Sequence, residues 1–483
     1  VTGQNRDLAR RAFLSLALLA AAAACAADKP NIVLIFADDM GYGDPRCFNP
    51  QSKCPTPNID RLAAQGMRFT DAHSAGTTCV PSRYGLLTGR YPFRNASMTP
   101  NTGSLIAPGS LTIASLLRDR GYATAMVGKW HLGFEGGKDF DYSKPFRGGP
   151  VDRGFETFFG QHASLDIPPY FYIENDRCTA APVEKIAANN TPGWSPIQGA
   201  FWRAGPVAPD FKMENVLPTY VRKVEQYIAR RQKPGQGKPF FLYLAMTAPH
   251  TPWLPTEQFR SASMGNLYSQ WVAQVDASVG QVLAALDRAG LADNTLVFFS
   301  SDNGPVWYPE DVKKYGHSST GELRGMKGDV WEGGHRMPLI ARWPGRIKPD
   351  AASRQLVCLI DTLATVAELT GGLPKDGAED SFSFLPELLA RKANSPVRTE
   401  MLLGGGKNLC IRQGDWKLIP FLGSGGFSRP SRRKPGPGEP AGQLYNLADD
   451  PGETRNLYAV RRDLVEKLTA RTRELSSTPR SRP

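Results

Sequence analysis

The stretch NIVLIFADD, Asn31 to Asp39, is an apolar run that ends in two adjacent carboxylates. Without polar alternation it reads as a strand buried on both faces, in the middle of a sheet, with the acids at its C-terminal end. The same design recurs along the chain. GYATAMVGKWH runs to Lys129 and His131, KPFFLYLAMTAPH ends at His250, and NTLVFFSSDNG ends at Asp302 and Asn303. LIARWP at 339–344 reads as a further strand. Helices fit between them. One opens at Pro57 and Asn58 and stops at Gly66, and a second starts near Ser82 and ends in GLLTG. Further helices are predicted over 218–231, 264–290 and 355–370. Alternating strands and helices predict an α/β fold, a large mixed, mostly parallel sheet sandwiched by helices. Open sheets of this kind bind ligands beyond the C-terminal ends of their strands, which is where the polar residues gather.

Beyond residue 375 the pattern changes. TEMLLGGG, LCIRQGDWKLIP and QLYNL read as short strands divided by turns, followed by a helix over 460–474. This predicts a smaller C-terminal α+β domain, 376–483, with a short antiparallel sheet. It encloses a basic Gly/Pro-rich insertion, 423–440, that reads as a flexible loop. Residues 165–210, rich in Pro, Gly, Asn and aromatics, read as an elaborated loop on a substrate rim.

The 483 residues carry 48 glycines, 40 prolines and a formal net charge of +12, with 41% apolar content. That balance suits a globular protein that meets an anionic partner. No zinc finger, helix-turn-helix or stacking motif accompanies the charge, so nucleic acid is not expected. Residues 1–27 read as an export signal of twin-arginine type, Arg10 and Arg11 preceding an apolar run to Ala24. The run is too short for a stable membrane span. AAAC, ending at Cys25, is a poor lipobox. These features predict a periplasmic or secreted bacterial protein. Seven cysteines show neither zinc spacing nor a dense disulfide framework. Cys47 and Cys54 flank a Pro-rich loop at bridging distance in sequence, and Cys358, in LVCLI, reads as a buried small hydrophobe.

Asp38, Asp39, Asp302 and Asn303 offer hard oxygen ligands from two strand ends, suited to calcium or magnesium and not to zinc. Three such acids side by side call for a cation, since like charges disfavour one another's ionisation. Cys79 stands in CVPSRYGLLTG, with Arg83 four residues on, one helical turn away.

CVPSRYGLLTG and GYATAMVGKWH resemble the two signatures of the type I sulfatases, a family within the alkaline phosphatase superfamily. The aspartate pair, the APH ending at His250, SDNGP at 301–305 and the lysine of LRGMKGDVWEGG follow in the family's order. The resemblance implies a catalytic domain over 28–375 with an alkaline phosphatase-like fold. It implies that Cys79 is oxidised to 3-oxoalanine (formylglycine) by a formylglycine-generating enzyme before export. Calcium, less so magnesium, would be held by Asp38, Asp39, Asp302, Asn303 and residue 79. The hydrated aldehyde would attack sulfur, His250 and Lys327 would assist the leaving alcohol, and His131 would take a proton from the second hydroxyl. Arg83 would orient the nucleophile, while Lys129 and Ser164 would face the sulfate. Trp307, Tyr308 and His317 are candidates for the leaving-group pocket, and His162 and Asp166 for its rim. His335 reads as packing within its loop. The expected reaction is hydrolysis of a sulfate monoester, by exo action on a sulfated saccharide or on an aryl sulfate. The alternatives are a phosphoester or phosphonate monoester hydrolase of the same superfamily, and a non-catalytic binder of sulfated glycans.

Overall fold

The computed structural model describes residues 29–482 except 97, 100–101, 232–236, 392–394 and 405–407. The expected export signal, with Arg10, Arg11 and Cys25, lies outside the described residues.

A ten-stranded sheet forms the centre of the molecule. Its order is Ala351–Ser353, Met67–Phe69, Leu339–Arg342, Thr295–Ser301, Asn31–Asp38, Phe240–Pro249, Ala123–Lys129, Thr157–Gln161, Ile173–Glu174 and Arg177–Cys178. The five strands from Thr295–Ser301 to Thr157–Gln161 are mutually parallel, and both flanks bring in antiparallel partners. All eight residues of the Asn31–Asp38 strand are buried, as its unbroken apolar sequence requires. Helices Pro57–Ala64, Val216–Ala229 and Leu267–Arg288 pack together on one face, and Cys79–Thr88, Ile113–Asp119 and Asp361–Leu369 on the other. The mixed, mostly parallel α/β sheet between helices is therefore as the sequence predicts.

The C-terminal strands Glu400–Leu403, Cys410–Gln413, Trp416–Ile419 and Gln443–Asn446 form a four-stranded antiparallel meander, and helix Arg462–Ser477 packs against it. This small sheet is joined to the large one by a continuous apolar cluster in which Ala75, Tyr91 and Ile360 meet Met401, Ile411 and Leu418. No described helix is long and apolar enough to cross a membrane.

Several local expectations change. The second helix begins at Cys79 and not near Ser82, so Cys79 occupies its first turn and Pro81 is inside it. Proline is tolerated there because first-turn N–H groups have no intrahelical acceptor. The region 355–370 divides into a two-residue strand, Val357–Cys358, and helix Asp361–Leu369. The insertion after residue 423 is no free loop over its first half. Val330 N–H donates to Ser424 O (2.8 Å), and Ser428 N–H donates to Asp329 Oδ1 (3.0 Å), so the large domain holds it. Cys47 and Cys54 are both free thiols.

Candidate active site

The parallel strands deliver their terminal residues to one edge. A bulge helps: between Phe36 and Asp38 the register against the neighbouring strand jumps from Ala245 to Pro249, the kind of irregularity that re-aims a strand end. Asp39 and His131 adopt left-handed backbone, φ 64° and 59°. Such conformations are costly for residues with a Cβ and gather at functional sites.

Asp38 and Asp39 point into a buried lattice of opposite charges. Lys129 Nζ donates to Asp38 Oδ2 (2.7 Å), and Cys79 Sγ lies 3.5 Å from Asp38 Oδ1. Lys327 Nζ donates to Asp39 Oδ2 (2.8 Å), and Asn303 Nδ2 donates to Asp39 Oδ1 (2.6 Å). Asp302 Oδ1 accepts the Asp39 N–H (3.0 Å), and Asp302 Oδ2 accepts from Arg83 Nε (3.0 Å). His250 Nε2 is 3.7 Å from Asp39 Oδ2. One helical turn separates Cys79 from Arg83, which lets one short helix supply both the thiol and the cation beneath it.

These contacts set the charge states. Burial works against the Asp38 carboxylate, but Lys129, His250 and Arg83 together hold its pKa well below the usual range. Burial, with the Asp38 charge beside it, pushes Asp302 up to about 6 against the pull of Arg83. Burial raises the Cys79 thiol far above its ordinary value, so an unmodified Cys79 is a poor nucleophile in this setting. Burial, Lys129 and Arg83 hold the His131 pKa well below its ordinary value, and its Nδ1 is buried with no hydrogen-bond partner among the described residues.

The donor set fits a hard divalent cation. Ligand atoms of Asp38, Asp39, Cys79 and His250 lie within 4.8 Å of one another. Asn303 Oδ1, beside them, is a buried acceptor with no donor among the described residues. An orphaned amide oxygen among carboxylates is what calcium or magnesium coordination uses.

Above the lattice opens a cavity of about 250 Å³. Asp39, Cys79, His131, Ser164, His250 and Lys327 line it, together with Asp166, Ile167, Ile197, Arg203, Val306 and Phe427. Lys129 and Arg83 are fully buried below, in contact with the acids and not on the cavity wall. Trp307 and His317 are elsewhere. Trp307 is packed among Tyr268, Trp253 and Trp194, and its Nε1–H donates to His317 O (2.8 Å). His317 is 2.9 Å from Asp44 and 3.5 Å from Cys54, all buried. Tyr308 caps helix Pro309–Tyr315. None of these three lines the cavity; Ile197, Arg203, Val306 and Phe427 do. His162 lies behind His131, its Nε2 2.8 Å from Pro169 O and its ring stacked on Phe171. His335 packs, as expected, in a buried polar cluster with His73, Glu332 and Lys417. Sequence reasoning placed Arg203 within the expected rim loop 165–210 and Phe427 within the insertion 423–440 but singled out neither residue. The signal for the second was available: a lone aromatic in a Gly-rich basic insertion.

The sulfatase family's sequence profile matches residues 30–372. An N-acetylgalactosamine-6-O-sulfatase of Bacteroides thetaiotaomicron is 33% identical, over 91% of this chain and 92% of its own length. Human arylsulfatase A is also 33% identical, over 92% of this chain and 86% of that protein. A solved structure from work on the metabolism of multiple glycosaminoglycans by Bacteroides thetaiotaomicron superposes with a TM-score of 0.82 at 30% identity, covering 93% of this chain and 100% of that one.

Proposed function

Because this chain belongs to the sulfatase family, we propose that it hydrolyses the sulfate ester of a terminal sugar in a sulfated saccharide. The observation that carries the reading is the placement of Cys79. It stands in the first turn of a helix, at the floor of a cavity, with Asp38 at 3.5 Å and Lys327 and His250 on the same wall. A helix N-terminus favours an anion. A 250 Å³ chamber is smaller than the range of about 300–1,000 Å³ typical of drug-sized ligands. It suits one sulfated ring, and therefore exo action.

In this reading Cys79 has been oxidised to formylglycine and hydrated to a gem-diol. Asp38, Asp39, Asp302 and Asn303 would hold calcium, which supplies positive charge against the ionised diol and the sulfate. One hydroxyl oxygen of residue 79 attacks sulfur, the S–O bond to the sugar breaks, and His250 and Lys327 deliver a proton to the departing alcohol. His131, neutral and with Nδ1 free of partners, takes the proton of the second hydroxyl. The C–O bond to sulfate then breaks, sulfate leaves, and the aldehyde is restored for rehydration. Arg83 and Lys129 hold the acids that shape the floor. Preorganised cations of this kind stabilise charge that develops in the transition state.

Two measurements test this. Mass spectrometry of the peptide containing Cys79 should show a loss of about 18 Da relative to cysteine. Cys79→Ala should fold and release sulfate from a 6-sulfated hexosamine at least about a thousandfold more slowly. Unchanged turnover in Cys79→Ala would refute the proposal.

A further inference from the structure

The 250 Å³ chamber takes one sugar ring, so the next ring of a saccharide chain has to lie at its mouth. Of the residues that line the chamber, only Arg203 and Phe427 are exposed. They come from distant parts of the chain and together mark that mouth. Phe427, 38% exposed, offers an aromatic face. The Arg203 side chain is 50% exposed but not loose. Its backbone N–H donates to the Asp166 carbonyl (3.3 Å), and its own carbonyl accepts from Tyr170 Oη–H (2.7 Å). Nη1 donates to the Asp166 carboxylate, and the guanidinium lies over Phe201, Cζ 5.1 Å from the ring centre. Nε and Nη2 have no partner among the described residues. Those two nitrogens form one edge of the guanidinium, the edge that grips a carboxylate or sulfate through two parallel bonds.

We propose that Arg203 and Phe427 form a subsite for a second sugar ring that carries an anionic group. The free guanidinium edge binds the oxyanion, and Phe427 packs on the ring. The inference rests on the sulfatase reading and deepens it: the substrate is an acidic saccharide, recognised over two rings. Neutralising Asp166 uses Nη1 alone. It explains neither the open edge nor the exposed aromatic at the same mouth. A guanidinium carries five donors, so one side can serve Asp166 while the other serves a ligand. The net charge of +12 works in the same direction at long range, drawing a polyanion toward the chain.

The test compares three disaccharides, each a 6-sulfated hexosamine joined through its anomeric carbon to a second ring. That ring is a uronic acid, the same ring with its carboxyl reduced to an alcohol, or the reduced ring bearing a sulfate. Loss of the hexosamine sulfate is followed by chromatography. In the unaltered enzyme kcat/KM for an anionic second ring should exceed that for the reduced one by about five- to thirtyfold, the scale of a charge-assisted bond at a half-exposed site. Preference for the carboxylate, the sulfate or both names the source of the anion and supports the proposal. In Arg203→Gln the preference should shrink to within about twofold, whatever the variant's absolute rate. Arg203→Lys, which keeps a charge beside Asp166 but loses the fork, should lie between. Two outcomes overturn the proposal. One is an unaltered enzyme that cleaves all three disaccharides equally well. The other is an Arg203→Gln variant that slows acidic and reduced substrates by the same factor, which would make Arg203 a positioning residue for Asp166. If no ester is cleaved at all, the sulfatase reading fails, and calorimetric titration of the uronic acid and reduced disaccharides still decides this one: tighter binding of the acid, lost in Arg203→Gln, supports it, and equal affinities overturn it.

Discussion

Two buried clusters in this molecule have nearly the same composition. At the strand ends, Asp38, Asp39 and Asp302 face Arg83, Lys129 and Lys327, with His131 and His250 alongside. Between the large and small sheets, Asp71, Glu332 and Glu453 face Arg336, Arg412 and Lys417, with His73 and His335 alongside. The second cluster closes on itself except at Glu453 Oε1, which has the Lys417 ammonium at 2.9 Å but no aligned hydrogen bond. His73 Nε2 is 2.8 Å from Asp71, the two histidines meet through Nδ1 at 3.1 Å, and Lys417 Nζ reaches His335 Nε2 at 3.1 Å. One orientation satisfies the chain: His73 Nε2–H donates to Asp71, His335 Nδ1–H to His73, and Lys417 to His335. The first cluster does not close. His131 Nδ1 and Asn303 Oδ1 have no partners, His250 Nε2 stands off from Asp39 at 3.7 Å, and a cavity opens above. Charge content therefore does not separate an active site from a structural network. Unspent hydrogen-bonding capacity beside a cavity does.

Substitutions should divide along this line. Lys417→Met leaves Glu332 and Glu453 buried without their shared cation, and should cost about 3–5 kcal/mol of stability. Turnover per folded molecule should stay within about twofold, read from melting curves and active-site-normalised rates. A variant equally stable but slow would erase the distinction between the clusters. Lys327→Ala should do the reverse: sulfate release down by roughly 10²–10³-fold, with a smaller loss of stability than Lys417→Met, since Asp39 keeps the Asn303 hydrogen bond and borders the cavity. The two clusters should also answer differently to a chelator, with activity lost and restored by calcium while the melting transition of the Lys417 region stays in place.

Acid sharpens the comparison further. Burial holds His73 below its ordinary 6.5, and His335 well below it. Each ring therefore takes its proton at a lower pH in the fold than in the unfolded chain, where it does so near 6.5. The unfolded chain thus binds more protons, and stability declines as pH falls below 6.5, by up to about 1.4 kcal/mol per pH unit for each ring. His162, lowered by burial to about 4, adds to the slope. Urea midpoints at pH 7.5 and 5.5 measure it, and equal midpoints would mean that the rings are charged in the fold. The smallest effect belongs to the rim. Phe427→Ala should raise KM for a sulfated saccharide about two- to tenfold, the scale of an aromatic contact, and leave the inhibition constant of inorganic sulfate unchanged.

The strand-end residues were legible in sequence because a parallel sheet sends every C-terminal end to one edge. Asp38, Asp39, Lys129, His131, His250, Asp302 and Asn303 could be gathered by that rule alone, and the sulfatase resemblance added Cys79 and Lys327. The closed cluster was not legible. His73, Glu332, Lys417 and Glu453 come together only through packing of one sheet on another, which no local pattern records. Trp307 and His317 misled for the opposite reason. They follow the Asp302 strand closely in sequence, but the chain turns and buries them beside Asp44 and Tyr268. Phe427 reads as part of a solvated insertion until its neighbours are seen.

Those neighbours are two glycines. A Cβ on Gly426 would sit 2.0 Å from the carbonyl carbon of Gly328, the residue after Lys327, and a Cβ on Gly328 would press on Phe427 at 3.0 Å. The seam therefore admits no side chain at Gly426, and Gly328, at φ 84°, is strained for any other residue. It works as a keyway: Ser428, Pro430, Ser431 and Arg433 are tied back by hydrogen bonds to the same segment and to Asp329, so only the chain beyond Arg433 is free to vary in length and chemistry, and the point where it locks beside the lysine is not. A graft that replaced residues 434–440 and kept Gly426 would change the insertion without retuning the floor of the cavity.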